Sequence, residues 1–129
     1  SLHAMISAKI GAIEMHEITE RCEHKLRKTF GGEVVCHMDP MMEMTPEIQA
    51  TEEQFKQALK AFPQIISYHD FRVVAGTQGK IIIVADIDLA EDVHVDESNR
   101  ISKDLEAQAQ DEIQDVLYCH FYITPKFSY

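Results

Sequence analysis

One segment of this chain occurs twice, and that limits the folds open to it more than any other feature. Ile18-Thr19 opens an apolar-periodic run that ends in Val34-Val35-Cys36-His37, and Ile101-Ser102 opens one that ends in Val116-Leu117-Tyr118-Cys119-His120. The isoleucine and the histidine are 19 residues apart in both copies. Each copy has a glutamate five residues after the isoleucine, Glu23 and Glu106, and each follows the histidine with a proline, Pro40 and Pro125. The first part of each copy has helical period and the last part alternates, so a helix that returns directly into a strand is predicted twice. A chain built this way needs a sheet to receive both strands.

A length of 129 residues accommodates one ordinary domain, or one small domain and part of a second. The hydrophobic fraction of 45% suits a packed core, and no continuous apolar run is long enough to span a bilayer. If the function concerns a membrane, the spanning part lies outside this sequence. Twelve basic against 22 acidic residues give a formal charge of -10, which repels phosphate backbones and argues against a nucleic-acid partner. Residues 86–115 hold eleven acids against Arg100 and Lys103, a field that gathers cations or simply solvates a surface. Three cysteines without a Cys-x-x-Cys pair predict a reducing compartment, with Cys22, Cys36 and Cys119 packing as small hydrophobes. No signal peptide is visible, and Ser1-Leu2 reads as an expression remnant.

Residues 8–29 are predicted as a helix with Met15, Ile18, Cys22 and Leu26 on its apolar face and His16, Glu20, Glu23 and His24 on or beside the other; Gly31-Gly32 stops it. In the strand from Glu33 to Asp39, Val34, Cys36 and Met38 face one way and Val35, His37 and Asp39 the other, and Pro40 ends it. Residues 41–50 carry two prolines nearby and no period, which predicts a linker. Thr51 is then the expected N-cap of a short helix ending before Pro63. Ile65 to Ala75 and Lys80 to Leu89 make a hairpin across Gly76-Thr77-Gln78-Gly79, with His69, Phe71 and Val73 on one side of the first strand and Tyr68, Asp70 and Arg72 on the other. An acidic loop leads to the helix of Ile101, Leu105, Ala109 and Ile113, and a last strand ends at Pro125. The fold class predicted is α+β: an αββαβ domain over 51–129, preceded by a helix-strand unit over 1–40 and a linker over 41–50. One face of the sheet is left open, with histidines and tyrosines on it.

Several of these residues are candidates for chemistry. His37 and Asp39 point from one face of a strand and can converge on one cation, a nitrogen and oxygen set suited to zinc, cobalt, manganese or iron. His16, on the preceding helix, is a third donor able to fold back toward them. The ladder His16, Glu20 and His24, and His94 with Asp92 and Asp96, are further possibilities that a solvated surface explains equally well. His69 is a ligand candidate, whereas Asp70 cannot join it on the same strand face without a bulge and is expected to pair with Arg72. His120 corresponds to His37 but has Tyr122 where the first copy has Asp39, so a site there must import Asp86 or Asp88. No phosphate-binding glycine loop, His-Glu-x-x-His or Gly-x-Ser-x-Gly is present, which argues against an enzyme.

The run His69-Asp70-Phe71-Arg72-Val73, together with His16-Glu17-Ile18 and His37-Met38-Asp39-Pro40, resembles the cytoplasmic C-terminal domain of the cation diffusion facilitator transporters. Residues 51–125 resemble a whole such domain and residues 8–40 the last helix and strand of another. The resemblance implies a ferredoxin-like αββαβ domain that forms a homodimer beneath the transmembrane domain of the same full-length protein, on the cytoplasmic face of the membrane. It further implies a divalent cation, zinc above all, held near the dimer interface, with His16 as helix ligand, His37 and Asp39 as strand ligands and His69 as hairpin ligand. The family's histidine in the middle strand falls near Val84, where this chain has no ligand.

Overall fold

The computed structural model describes residues 1–124, in two compact units that divide between Glu43 and Met44. The first is β1 (Leu2–Ser7), α1 (Ala12–Phe30) and β2 (Cys36–Met41), with β1 and β2 parallel. β1 was not expected, because Met5 puts an apolar residue on what is otherwise its polar face. Leu2, Ala4 and Ile6 are half-buried while His3 and Met5 are exposed. The helix starts at Ala12 rather than residue 8 because Ser7 holds a turn: its carbonyl accepts from Ile10 N–H at 3.1 Å and its hydroxyl from Lys9 N–H at 3.2 Å. At the other end Gly31, at φ +73°, donates its N–H to the Arg27 carbonyl. That is the left-handed stop for which glycine is suited.

Pro40 does not end the second strand as predicted; it lies inside β2, opposite Ile6. The hydrogen bonds give the reason. Leu2 N–H donates to Val35 and Ala8 N–H to Met41, so the odd-numbered residues of β2 turn their backbone groups toward β1. Pro40 is even-numbered, and its missing N–H removes nothing from that ladder.

The second unit is α2 (Pro46–Leu59), β3 (Ile65–Ala75), β4 (Ile81–Leu89), α3 (Val95–Glu112) and β5 (Val116–Thr124). This is the predicted αββαβ order, with β3 antiparallel to β4 and β4 parallel to β5. Pro125, expected to close the last strand, lies outside the described residues. The N-cap of α2 is Thr45, not Thr51: the Thr45 hydroxyl accepts from Ile48 N–H at 3.3 Å, and Pro46 takes the first helical position. The second half of the predicted linker, from Pro46 on, is therefore helix. Proline reads as a breaker inside a helix, but at the first position its N–H has no intrahelical partner to lose. In the hairpin connection a Cβ on Gly76 would stand 2.9 Å from the Lys80 carbonyl oxygen, which requires glycine there.

Both helices of this unit cover one face of β3-β4-β5. Ile83, Ala85, Ile87 and Leu89 of β4 pack against Phe55 and Ala58 of α2 and against Ile101, Leu105 and Ala109 of α3. The alternate residues Ile82, Val84, Asp86 and Asp88 take the other face, as the alternation predicted. On β5, Tyr118, His120 and Tyr122 are exposed while Cys119, Phe121 and Ile123 pack against the core, as predicted; at the start of the strand a register shift puts Val116, not the expected Leu117, against that core.

The repeat is larger in three dimensions than in sequence. β1-α1-β2 and β4-α3-β5 are both parallel β-α-β units, and His3 stands opposite His37 as Val84 stands opposite His120. The repeated glutamate has one task in both. Glu23 Oε1 accepts from Cys36 N–H, and Glu106 Oε2 from Cys119 N–H, each at 2.8 Å. Glu23 is thus half-buried against the strand, not on the solvated face. Each carboxylate satisfies a part-buried strand N–H. Glu106→Ala should therefore cost about 1–3 kcal/mol, and Glu106→Gln, which keeps a side-chain oxygen, clearly less. Urea unfolding of the two variants checks this.

The cysteines pack as small hydrophobes, and none forms a disulfide. Burial first, and then the neighbouring Glu106 carboxylate, push the Cys119 thiol up from 9.0 to about 12. Cys36 moves the same way, through burial and then through the adjoining Cys22 thiol. The unfolded chain ionises these thiols from about pH 9, while the folded chain keeps Cys119 protonated to about pH 12. Stability must then fall as pH rises across that interval, because the folded state binds the additional proton. Thermal melts between pH 8 and 11 should show a steeper alkaline decline in the native chain than in Cys119→Ala.

Candidate metal centre

A β-bulge in β3 builds the site. Tyr68 and Phe71 both turn into the core: Phe55 meets Tyr68 edge-on, with ring centroids 5.5 Å apart, and Phe71 at 5.3 Å. Strict alternation cannot place residues three apart on one face, and an extra residue resolves the conflict. In the register Tyr68 stands opposite Ile87, His69 opposite Asp86 and Arg72 opposite Val84, so Asp70 and Phe71 together face the single residue Ala85. Asp70 absorbs the distortion at φ +51°, a conformation aspartate tolerates better than most residues.

Two expectations change as a result. Phe71 and Val73 belong to the core face with Tyr68, opposite His69. Asp70, excluded from a site with His69 unless a bulge intervened, joins it because one does. Arg72 donates to the Asp70 carbonyl at 3.3 Å rather than to its carboxylate.

Among the described residues, one group of histidine and carboxylate donors is close enough to share an ion: His69, Asp70 and Asp86 each offer a ligand atom, all within 4.8 Å of one another. His69 Nε2 is 3.2 Å from Asp86 Oδ2. Two donors bound tetrahedrally at about 2.1 Å stand about 3.4 Å apart, so this spacing fits a zinc-sized ion with little movement. His69 Nδ1 lies 3.2 Å from Asp88 Oδ2, which also accepts from the Ser67 hydroxyl at 2.7 Å. His69 is half exposed, while Asp86 and Asp88 keep 25% and 20% of their side-chain surface. One imidazole and two carboxylates, open to solvent on one side, suit a borderline divalent cation with water completing its shell.

The other candidates fall elsewhere. In the first unit His37 is exposed and Asp39 partly so, on the face opposite Cys36 as predicted. Their neighbour is His3, which the sequence did not reveal: its Nδ1 is 3.2 Å from Asp39 Oδ2, and its ring stacks on His37 with centroids 4.9 Å apart. Only β1, itself unexpected, places His3 there. His16 is exposed on α1, whose Glu23 grips β2 from the Cys36 side; the structure does not bring His16 into a donor group with His37 and Asp39. His120 stacks on Tyr122 at 4.6 Å and stands opposite Val84. The carboxylates expected to serve it, Asp86 and Asp88, are both engaged by His69. His94 is the exposed N-cap residue of α3 and makes no side-chain cap bond.

Residues 49–124 match the sequence profile of the cation efflux protein, cytoplasmic domain. The chain belongs to that family. A solved structure described as the metal-bound C-terminal domain of the CzcD transporter from Thermotoga maritima superposes with a TM-score of 0.59 at 16% identity, over 64% of this chain and 94% of that one. At that identity the likeness establishes a common fold. No curated protein sequence matches. The family is a domain of cation exporters, not a class of enzymes, and no helix among the described residues is long and apolar enough to cross a membrane.

Proposed function

We propose that this chain is the divalent-cation-sensing and dimerising part of a membrane exporter, with zinc as the cation and His69, Asp70 and Asp86 as its ligands. The observation that carries this reading is the bulge: it lets His69 and Asp70 of β3 share a sheet face with Asp86 of β4, which puts three donors of zinc-type chemistry at ligand spacing. Asp70 and Asp86 held this close repel one another, and a bound cation removes that repulsion. A dimer that binds the ion more tightly than the monomer is stabilised by it in proportion. The transmembrane domain of the same full-length protein is the partner on which the change acts. In the first unit, His3, His37 and Asp39 form a second cation-attracting patch, supported by the His3 to Asp39 contact. Residues 1–43 are on this reading a partial copy of the same domain.

Zinc titration followed by calorimetry and by sedimentation tests the proposal. Micromolar heat together with a rising dimer fraction is the expected outcome. Dimerisation indifferent to zinc, with no binding tighter than millimolar, would reduce the chain to an interaction module without a cation role.

A further inference from the structure

Asp88 takes no place among the grouped donors, yet it makes a 3.2 Å contact with the nitrogen of His69 that faces away from Asp86. It does not act alone. Ser67 stands beside Asp88 in the ladder and donates its hydroxyl to the same oxygen, Oδ2, at 2.7 Å. The His69 ring therefore has its two edges assigned: Nδ1 to a carboxylate that is itself tied down, Nε2 to the carboxylate that shares the donor group. An imidazole that gives its Nδ1 proton to a fixed acceptor presents a bare Nε2 lone pair, with ring orientation set before any ion arrives. Without that acceptor the half-exposed ring keeps only its contact with Asp86, which either nitrogen can make.

We infer that Asp88, steadied by Ser67, is a positioning residue for the cation site: it orients His69 so that Nε2, and not Nδ1, is the ligand atom beside Asp70 and Asp86. This rests on the cation reading of that group. It goes beyond it in fixing which nitrogen coordinates, and in giving a carboxylate outside the ligand set a share of the affinity.

Zinc calorimetry on the native chain and on Asp88→Ala, Asp88→Asn and Ser67→Ala, with long-range proton-nitrogen correlation spectra of the zinc-loaded protein, tests it. The expected results are coordination through Nε2 in the native chain and a 10–100-fold weaker affinity in Asp88→Ala. Asp88→Asn keeps an acceptor oxygen for Nδ1–H and should recover part of the loss. Ser67→Ala, a mild change at an exposed position, should weaken binding less but in the same direction, and it serves if Asp88→Ala does not fold. Coordination through Nδ1 in the native chain, or native affinity in both Asp88→Ala and Ser67→Ala, would overturn the inference. In the latter case His69→Ala separates the two readings: loss of zinc there leaves the site standing and removes only the role of Asp88, whereas native affinity there removes the site as well.

Discussion

Phe55→Ala is expected to lower the unfolding free energy by about 3–5 kcal/mol, the range for deleting a fully buried aromatic ring, and to leave the second unit at the margin of stability. The ring is wholly inaccessible to solvent and lies where three others meet, with Tyr68, Phe71 and Phe121 at centroid distances of 5.5, 5.3 and 5.8 Å. Those contacts join α2 to β3 and β5, so no single element can relax into the space. The loss also reaches the proposed cation site. Phe71 and Tyr68 are the residues whose burial demands the bulge, and removing the ring they pack on weakens the reason for Asp70 to sit beside His69. Urea unfolding gives the stability loss. A cost below about 1 kcal/mol would mean that this aromatic cluster does not organise the core.

The second large effect concerns the proposed ligands. His69→Ala and Asp86→Ala should each weaken zinc binding at this site by at least about 100-fold, since each removes a donor from a set of three and water is a poor replacement. Neither should unfold the chain, because both side chains lie on the sheet face away from Phe55 and Leu105. Asp70→Ala is a more complex case. It removes a donor and also places alanine at φ +51°, so a modest stability loss should accompany the loss of affinity. Calorimetry on the three variants, with melts run in parallel, separates the two contributions.

Much of the fold could be read from the residues, and the places where reading failed share a physical cause. The repeat, the two helices with a cleanly apolar stripe and the alternation of β2, β4 and β5 are local patterns, and local patterns survive folding when nothing distant overrides them. Glu23 and Glu106 were visible as a matched pair, but their bond to a strand N–H depends on the closure of helix onto strand. β1 was missed because Met5 breaks its alternation, and with it went His3, whose place beside His37 and Asp39 depends wholly on strand pairing. Pro40 and Pro46 both looked like breaks. The first sits where its absent N–H faces away from β1, and the second where a helix has no use for one. The bulge left a single trace in the sequence: Tyr68 and Phe71 are both large and apolar but three residues apart in a strand. That conflict with a period of two was the available clue, and it decides that Asp70, Asp86 and His69 come together while His120 keeps only Tyr122.

Anomalous diffraction at the zinc edge from zinc-soaked crystals tests the central claim most directly. A peak bonded to His69 Nε2 and to carboxylate oxygens of Asp70 and Asp86 is the result predicted here. Zinc bound elsewhere on the chain, with His69 still paired to Asp86 and Asp88 and no density between them, would contradict it.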